Sequence, residues 1–354
     1  MDIPSKQINE LLTEMVDKSA SDLHISAGTP PIMRIDGALQ YLQDAAVSSE
    51  AAEQMAEQLL NGSGLNGEGH LRVFRENGEA DFAYSLPDGS RFRVNVYRQR
   101  NLVSIAARYI TATIPTLQQL GLPSIVGSLV NKPQGLILVT GPTGSGKTST
   151  LAAMINLINQ TRSKHILTLE DPIEYLYSND KSLIHQREIG KDSRSFSSAL
   201  RASLRQDPDV VLIGEMRDLE TMSSAITMAE TGHLVLATLH TLDAPQSVDR
   251  IIDAFPAHQQ PQIRSQLASV LVAVISQRLL PRRGAGRACA TEILINNPAV
   301  ANLIRTEKNH QIKNVMQTGR ASGMHTLEMC IRDLIGQGIV DASIASEYLS
   351  EAGN

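Results

Sequence analysis

The chain has 354 residues, 42% of them hydrophobic and 19% charged, with a formal net charge of -5. That length is comfortable for two domains, and it buries enough apolar surface to fold without a disulfide or structural metal. The acidic balance argues against nucleic acid as the main partner, and the two cysteines, Cys289 and Cys330, have no zinc-ligand spacing and read as free thiols.

Helical spacing of Ile8, Leu11, Leu12, Met15 and Val16 predicts a first helix over Gln7–Val16. Asp22–Ser26 and Ile32–Ile35 read as short strands around Gly28-Thr29-Pro30-Pro31, with a turn at Asp36-Gly37. Ser49–Leu60 reads as a second helix, stopped by the glycine-rich stretch Asn61-Gly62-Ser63-Gly64. Strands follow at Asp81–Leu86, Arg91–Tyr97 and Leu102–Ile110, the first two joined by a Pro87-Asp88-Gly89 turn. Residues 1–112 are thus expected to form a small α+β domain, with 113–122 as the linker.

From Gly135 onward short apolar runs alternate with longer helical segments, the pattern of a parallel sheet with crossover helices. The runs are Leu136–Val139, Ile166–Leu169, Val210–Ile213 and Leu234–Leu239. This α/β core is expected over 123–285, and one more strand, Ala290–Ile295, then opens a mostly helical C-terminal region over 286–354. The longest apolar stretch, near Leu267–Ile275, is about half of what a bilayer-spanning helix needs. Residues Met1–Lys6 lack the basic and apolar parts of a signal peptide. A cytoplasmic protein without direct membrane insertion is expected, reaching a membrane only through a partner.

Gly141-Pro142-Thr143-Gly144-Ser145-Gly146-Lys147-Thr148 separates a glycine from Gly-Lys-Thr by four residues, between an apolar strand and a helix expected at Ser149–Ile158. The glycines let successive backbone N–H groups turn toward phosphate oxygens. Lys147 supplies a mobile cation for the terminal phosphates, the Thr148 hydroxyl a ligand for Mg2+, and the following helix its positive end. The strand–loop–helix context makes nucleotide binding the expected use, with ATP and Mg2+ as the ligands.

Three further segments end on chemistry. Glu170, Asp171 and Glu174 follow the strand Ile166–Leu169; a carboxylate there could take a proton from an attacking water, although such a cluster is also what a polar loop looks like. Val210–Ile213 resembles a Walker B strand with Gly214 at the usual aspartate position and Glu215 as the acid, expected to hold Mg2+ through water. His233 and His240 bracket Leu234–Leu239, and His240 is placed to touch a γ-phosphate. Arg91, Arg93, Arg98, Arg100 and Arg108 occur without an intervening acid, and Arg91 and Arg93 share the polar face of a strand. They read either as a solvated basic face or as donors to a nucleotide on a neighbouring subunit.

These motifs together resemble the secretion ATPase family, and most closely its PilT-type retraction ATPases of type IV pili. The resemblance runs through Ser21-Asp22-Leu23-His24, Phe92-Arg93-Val94-Asn95, the phosphate loop and Glu170-Asp171-Pro172-Ile173-Glu174-Tyr175. It continues through Gln186-Arg187-Glu188, Arg205–Asp209, Gly214–Asp218, Thr231–Thr241 and Ser276–Pro281. It implies a PAS-like N-terminal domain, a RecA-like ATPase domain and a homohexamer. In that scheme Glu170 is the catalytic base, Glu215 the Walker B acid, and His233 and His240 lie on the phosphate side. Arg93 and Arg108 become the candidates to act in trans.

The resemblance further implies a motor that powers pilus retraction and twitching motility, acting on an inner-membrane platform protein from the cytoplasmic face. Assembly and secretion members of the family carry a four-cysteine zinc module that two isolated cysteines cannot build, which favours retraction. The alternatives are the ATPase of another type II/IV secretion-like machine, a RecA-like translocase, and a nucleotide-gated scaffold. Where retraction members resemble Ala-Ile-Arg-Asn-Leu-Ile-Arg-Glu, this chain has Ala299–Thr306, differing at three of eight positions. Helical spacing puts Val300, Leu303 and Ile304 inward, and is expected to leave Ala301 and Thr306 nearer the exposed side. His185 stands where the family more often has Asn.

Overall fold

In the computed structural model the described residues are 7–35, 38–42, 45–62, 67–110, 113–284 and 286–352. The turn expected at Asp36-Gly37 and the end of the glycine-rich stretch, Ser63-Gly64, lie outside them. Two compact units divide the chain: Met1–Thr113 with Pro172–Leu176, and Ile114–Asp171 with Tyr177–Asn354.

Alternation builds the first unit. Its elements are α1 (Ile8–Asp17), β1 (Asp22–Ser26), β2 (Ile32–Ile35), β3 (Ala38–Tyr41), α2 (Ser49–Gly62), α3 (Gly67–Asn77), β4 (Glu79–Ser85), β5 (Arg91–Gln99) and β6 (Leu102–Ile110). The six strands form an antiparallel sheet in the order β3-β2-β1-β6-β5-β4. Along β5, Phe92, Val94 and Val96 are buried while Arg91, Arg93 and Asn95 alternate with them on the polar face. The inward residues pack with Ile8, Leu11, Leu12 and Met15 of α1 and with Met55, Leu59 and Leu60 of α2 into one core. Sequence spacing missed α3, which carries few buried apolar side chains, and β3, whose residues are all exposed.

The second unit opens with α4 (Ser124–Leu129) and β7 (Gly135–Thr140), followed by α5 (Lys147–Thr161), β8 (His165–Glu170), β9 (Leu183–Glu188), α6 (Phe196–Ser203) and β10 (Val210–Ile213). Next come α7 (Leu219–Glu230), β11 (Leu234–Leu239), α8 (Ala244–Asp253), α9 (Gln260–Val270), β12 (Leu271–Pro281) and β13 (Arg287–Ile295). The chain finishes with α10 (Pro298–Arg305), α11 (Ile312–Thr318), α12 (Leu327–Gly336) and α13 (Ala342–Ala352). The sheet order is β13-β12-β7-β11-β10-β8-β9, parallel except for β13.

Strands covered on both faces are continuous apolar runs, and β7 shows why. Leu136 and Leu138 face a core that also holds residues of α7, α8 and α9, whereas Ile137 and Val139 face α5 through Met154, Ile155 and Ile158. The expected α/β architecture is therefore present.

Three local readings change. Leu117, Leu120 and Leu122, in the stretch read as a linker, pack into the second unit's core. The strand read as opening the C-terminal tail pairs antiparallel with β12 from Ala273↔Ile295 to Pro281↔Arg287, so it belongs to the core sheet. Ala301 is not on the exposed side of α10: it is buried at 7% exposure beside Val300 and Ile304, while Thr306 is exposed. Residues 300, 301 and 304 all turn inward because α10 packs on both α9 and α11, a wider apolar stripe than a single contact needs.

Candidate functional site

Parallel strands carry their C-terminal ends to one edge of the sheet, and in such folds that edge holds the ligand. Thr140 ends β7, Leu239 ends β11, Ile213 ends β10 and Glu170 ends β8, and these four strands are consecutive neighbours. The phosphate loop, His240, Glu215 and Glu170 are thus delivered to one edge by topology alone.

The loop Gly141–Thr148 is shaped by close approach. Gly141 has φ 138°, and a Cβ there would lie 2.5 Å from the Gln277 carbonyl and 2.6 Å from Ser145 Oγ, so only glycine fits. Gly146, at φ 90°, caps α5, which begins at Lys147 rather than at Ser149 and so places Lys147 and Thr148 in its first turn. Lys147 Nζ donates to the carbonyls of Gly141 and Pro142 at 2.8 and 3.0 Å, which folds the ammonium over the loop. Ser145 Oγ is buried with no hydrogen-bond partner among the described residues. An orphaned hydroxyl, a glycine cradle and a helix N-terminus fit a triphosphate. Thr148 and Glu215 offer the hard oxygen ligands that suit Mg2+.

Two basic side chains lie against Glu215. Arg217 Nη2 lies 2.8 Å from its Oε2 and His240 Nε2 lies 3.3 Å from its Oε1. Partial burial works against its charge, but the Arg217 hydrogen bond and the charges of Arg217, His240 and Lys147 prevail and hold the carboxyl below its ordinary pKa. Gly214 explains how it gets there. The Gly214 N–H donates to the Leu169 carbonyl at 2.8 Å. A Cβ at 214 would stand 3.2 Å from that oxygen and 3.4 Å from Glu170 Cα. An aspartate at the usual Walker B position would press into the β8 backbone, so glycine brings the ends of β10 and β8 together.

Glu170 is buried, at 6% exposure. Its Oε1 accepts from Thr168 Oγ1 at 2.7 Å and from Gln186 Nε2 at 3.4 Å. Thr168 shares the Glu170 face of β8 two residues back, and Gln186 reaches across from β9 while its own Oε1 accepts the Tyr177 N–H at 3.0 Å. The motifs read from sequence give Thr168, Gln186 and Arg217 no role in holding these acids. Thr168 and Arg217 lay within two residues of the acids they hold, and that spacing was the available signal. Asp171, the next acid, is exposed.

The structure does not bring His233 to this edge. It precedes β11, where its carbonyl accepts the Gly135 N–H at 3.0 Å and its Nδ1 lies 3.0 Å from the Met228 carbonyl. At about 3.3 Å per residue, β11 separates it from His240 by some 20 Å, which removes it from the phosphate side.

Arg93 and Arg108 belong to the first unit, where β5 and β6 set them directly opposite each other. Like charges so placed repel, and each has a carboxylate: Asp81 lies 2.6 Å from Arg93 Nη2 and Asp22 lies 2.8 Å from Arg108 Nε. The basic run has no acid within it, yet the sheet supplies one to each of these two arginines from a neighbouring strand.

Residues 2–333 match a family profile described as type II/IV secretion system protein. The chain is 43% identical over 340 residues to the type IV pilus retraction ATPase PilT of Pseudomonas aeruginosa, covering 96% of this chain and 97% of that one. It is 46% identical over 331 residues to the twitching motility protein of Neisseria gonorrhoeae, covering 93% and 87%. A crystal structure of the pilus retraction motor PilT with bound ADP superposes with a TM-score of 0.88 at 45% identity, covering 97% of each chain. With the phosphate loop, Glu170, Glu215 and His240 converging on one sheet edge, the chain belongs to the type II/IV secretion system protein family, in its PilT-type branch.

Proposed function

We propose that the chain is an ATP-hydrolysing motor that powers type IV pilus retraction, and so twitching motility. We place it as a homohexamer at the inner face of the inner membrane, working on the platform protein of the pilus. The observation that carries this reading is the convergence of Lys147, Glu170, Glu215 and His240, in a chain alike over 96% of its length to a pilus retraction ATPase. No helix of the described residues is long and apolar enough to cross a membrane.

The backbone of Gly141–Lys147 and the Lys147 ammonium bind and neutralise the phosphates. Glu170, with Oε1 held by Thr168 and Gln186, takes the proton from the attacking water. Thr148, and Glu215 through water, would hold Mg2+, which would supply neutralisation of phosphate charge. His240, 3.3 Å from Glu215, serves in this reading as the sensor of the terminal phosphate. Arg93 and Arg108 of an adjacent subunit complete the charge neutralisation.

Expression in a piliated strain that lacks its retraction motor tests the assignment. The wild type should restore twitching and Lys147→Ala should not. A purified wild type that hydrolyses ATP but leaves such cells immotile would move the chain to another envelope machine.

A further inference from the structure

The N-terminal ends of β8 and β9 lie at the edge of the sheet opposite the phosphate loop, and two histidines meet there. β9 is the last strand of the sheet. Its register with β8 pairs His165 with Leu183 and Leu167 with His185, so His165 and His185 are diagonal neighbours on one face. Their rings stand nearly perpendicular, 85° apart with centroids at 4.9 Å, and His165 Nε2 lies 3.0 Å from His185 Nδ1.

The protons can be placed. His165 Nδ1 is 2.9 Å from the Asp207 carbonyl, which only accepts, so Nδ1 carries the hydrogen and Nε2 presents a lone pair. A carbonyl that holds the outer nitrogen in this way is the usual support of a metal-ligating imidazole. The backbone of His165 is fixed too: its N–H donates to Asp209 Oδ2 at 2.9 Å, and Lys164 holds Asp209 Oδ1 at 2.6 Å.

We propose that His165 Nε2 and His185 Nδ1 form a two-imidazole chelate for Cu2+ or Ni2+. With metal–nitrogen bonds of about 2.1 Å, two ligands at a right angle lie about 3.0 Å apart, whereas tetrahedral ligands lie about 3.4 Å apart. The 3.0 Å between the two nitrogens is that of the hydrogen bond they share and lies within reach of a single ion; two imidazoles with water in the remaining positions suit tetragonal or octahedral Cu2+ or Ni2+. On binding, the His185 hydrogen moves from Nδ1 to Nε2, and the neutral pair releases no proton. His185 is exposed and His165 half-buried, so water reaches the remaining coordination positions. The ion fastens the edge strand β9 to β8 and, through the Asp207 carbonyl, to the turn ahead of β10.

The test uses full-length, untagged, nucleotide-free protein, titrated with NiCl2 and CuSO4 by calorimetry, with Cu2+ followed by electron paramagnetic resonance. The wild type should bind one ion per chain with two nitrogens resolved on copper. His185→Gln should weaken binding at least tenfold and lose the second nitrogen. Ni2+ should raise the melting temperature of the wild type and not of the variant, and Zn2+ should raise it less. Equal affinity of wild type and variant overturns the proposal. A one-nitrogen copper spectrum of the wild type does so independently of whether the variant folds.

Discussion

At Glu215 the side chains of Arg217, His240 and Lys147 act on one carboxylate, and substitutions around it have distinguishable results. Arg217 gives the hydrogen bond and the largest charge effect that hold the Glu215 pKa down. In Arg217→Ala the Glu215 pKa therefore rises, and the acid limb of the kcat/KM profile should move to higher pH. A pH–rate profile that does not shift would mean Glu215 is not the group that titrates. Glu170 and Lys147 separate by kinetics. Glu170→Gln should still bind Mg-ATP while turnover falls by a factor of about 100 to 10,000, the usual cost of losing a general base. Lys147→Ala should fail to bind, measured with a fluorescent ATP analogue. Glu170→Gln turnover at the wild-type rate would shift the base to Glu215.

Among the elements, β13 ties the nucleotide edge to the C-terminal helices through one buried side chain. Glu292 accepts the Ala244 N–H at 2.9 Å and the Leu327 N–H at 3.3 Å, capping the starts of α8 and α12 together. Burial is the chief cause that raises its pKa, and Asp243 adds to it. A carboxyl with a raised folded pKa contributes stability that is complete below its unfolded pKa and declines as pH rises through the folded value. Glu292→Ala, leaving two buried donors without acceptors, should cost about 3 kcal/mol, and urea melts should show the gap to wild type widest in acid. Ala301→Arg is a second test at this scale. Since Ala301 is buried on the inward face of α10, the change should destabilise by about 1–3 kcal/mol through overpacking, whereas Thr306→Glu should melt as the wild type does. What was legible follows from burial. β7, β8, β10 and β11 are covered on both faces, so each is a buried and largely apolar run, followed by glycine, acid or histidine. β12 was hidden because the apolar run Leu267–Ile275 passes from α9 into the strand at Leu271 without a change in polarity. β9, at the sheet edge, mixes Leu, His, Gln, Arg and Glu and has no single period. The hold of Gln186 on Glu170 spans 16 positions and depends on a strand pairing that spacing does not reveal.

For the whole molecule, the decisive question is whether one chain suffices for a catalytic centre. Arg93 and Arg108 stand opposed on adjacent strands, a placement that costs repulsion and that Asp81 and Asp22 offset. Asp22 is held below its ordinary pKa; burial opposes this, but the bonds from Ser21 and Arg108 and the charges of Arg108 and His24 outweigh it. The Arg108 side chain nonetheless remains 70% exposed. Two cations kept side by side at an exposed surface fit a polyanion brought to them, and Lys147 lies in the other unit of the chain. If the anion is a nucleotide on an adjacent subunit, a ring of Lys147→Ala subunits is dead for want of its own phosphate loop. A ring of Arg93→Ala, Arg108→Ala subunits is dead for want of what it lends its neighbour. In mixed rings some sites join an intact phosphate loop to an intact arginine pair. Co-assembly of the two inactive variants should thus recover part of the wild-type ATPase rate, in proportion to the fraction of mixed junctions and highest near equal amounts. No recovery at any ratio, from mixtures shown by mass to be co-assembled, or full activity of an isolated monomer, would confine the site to one chain.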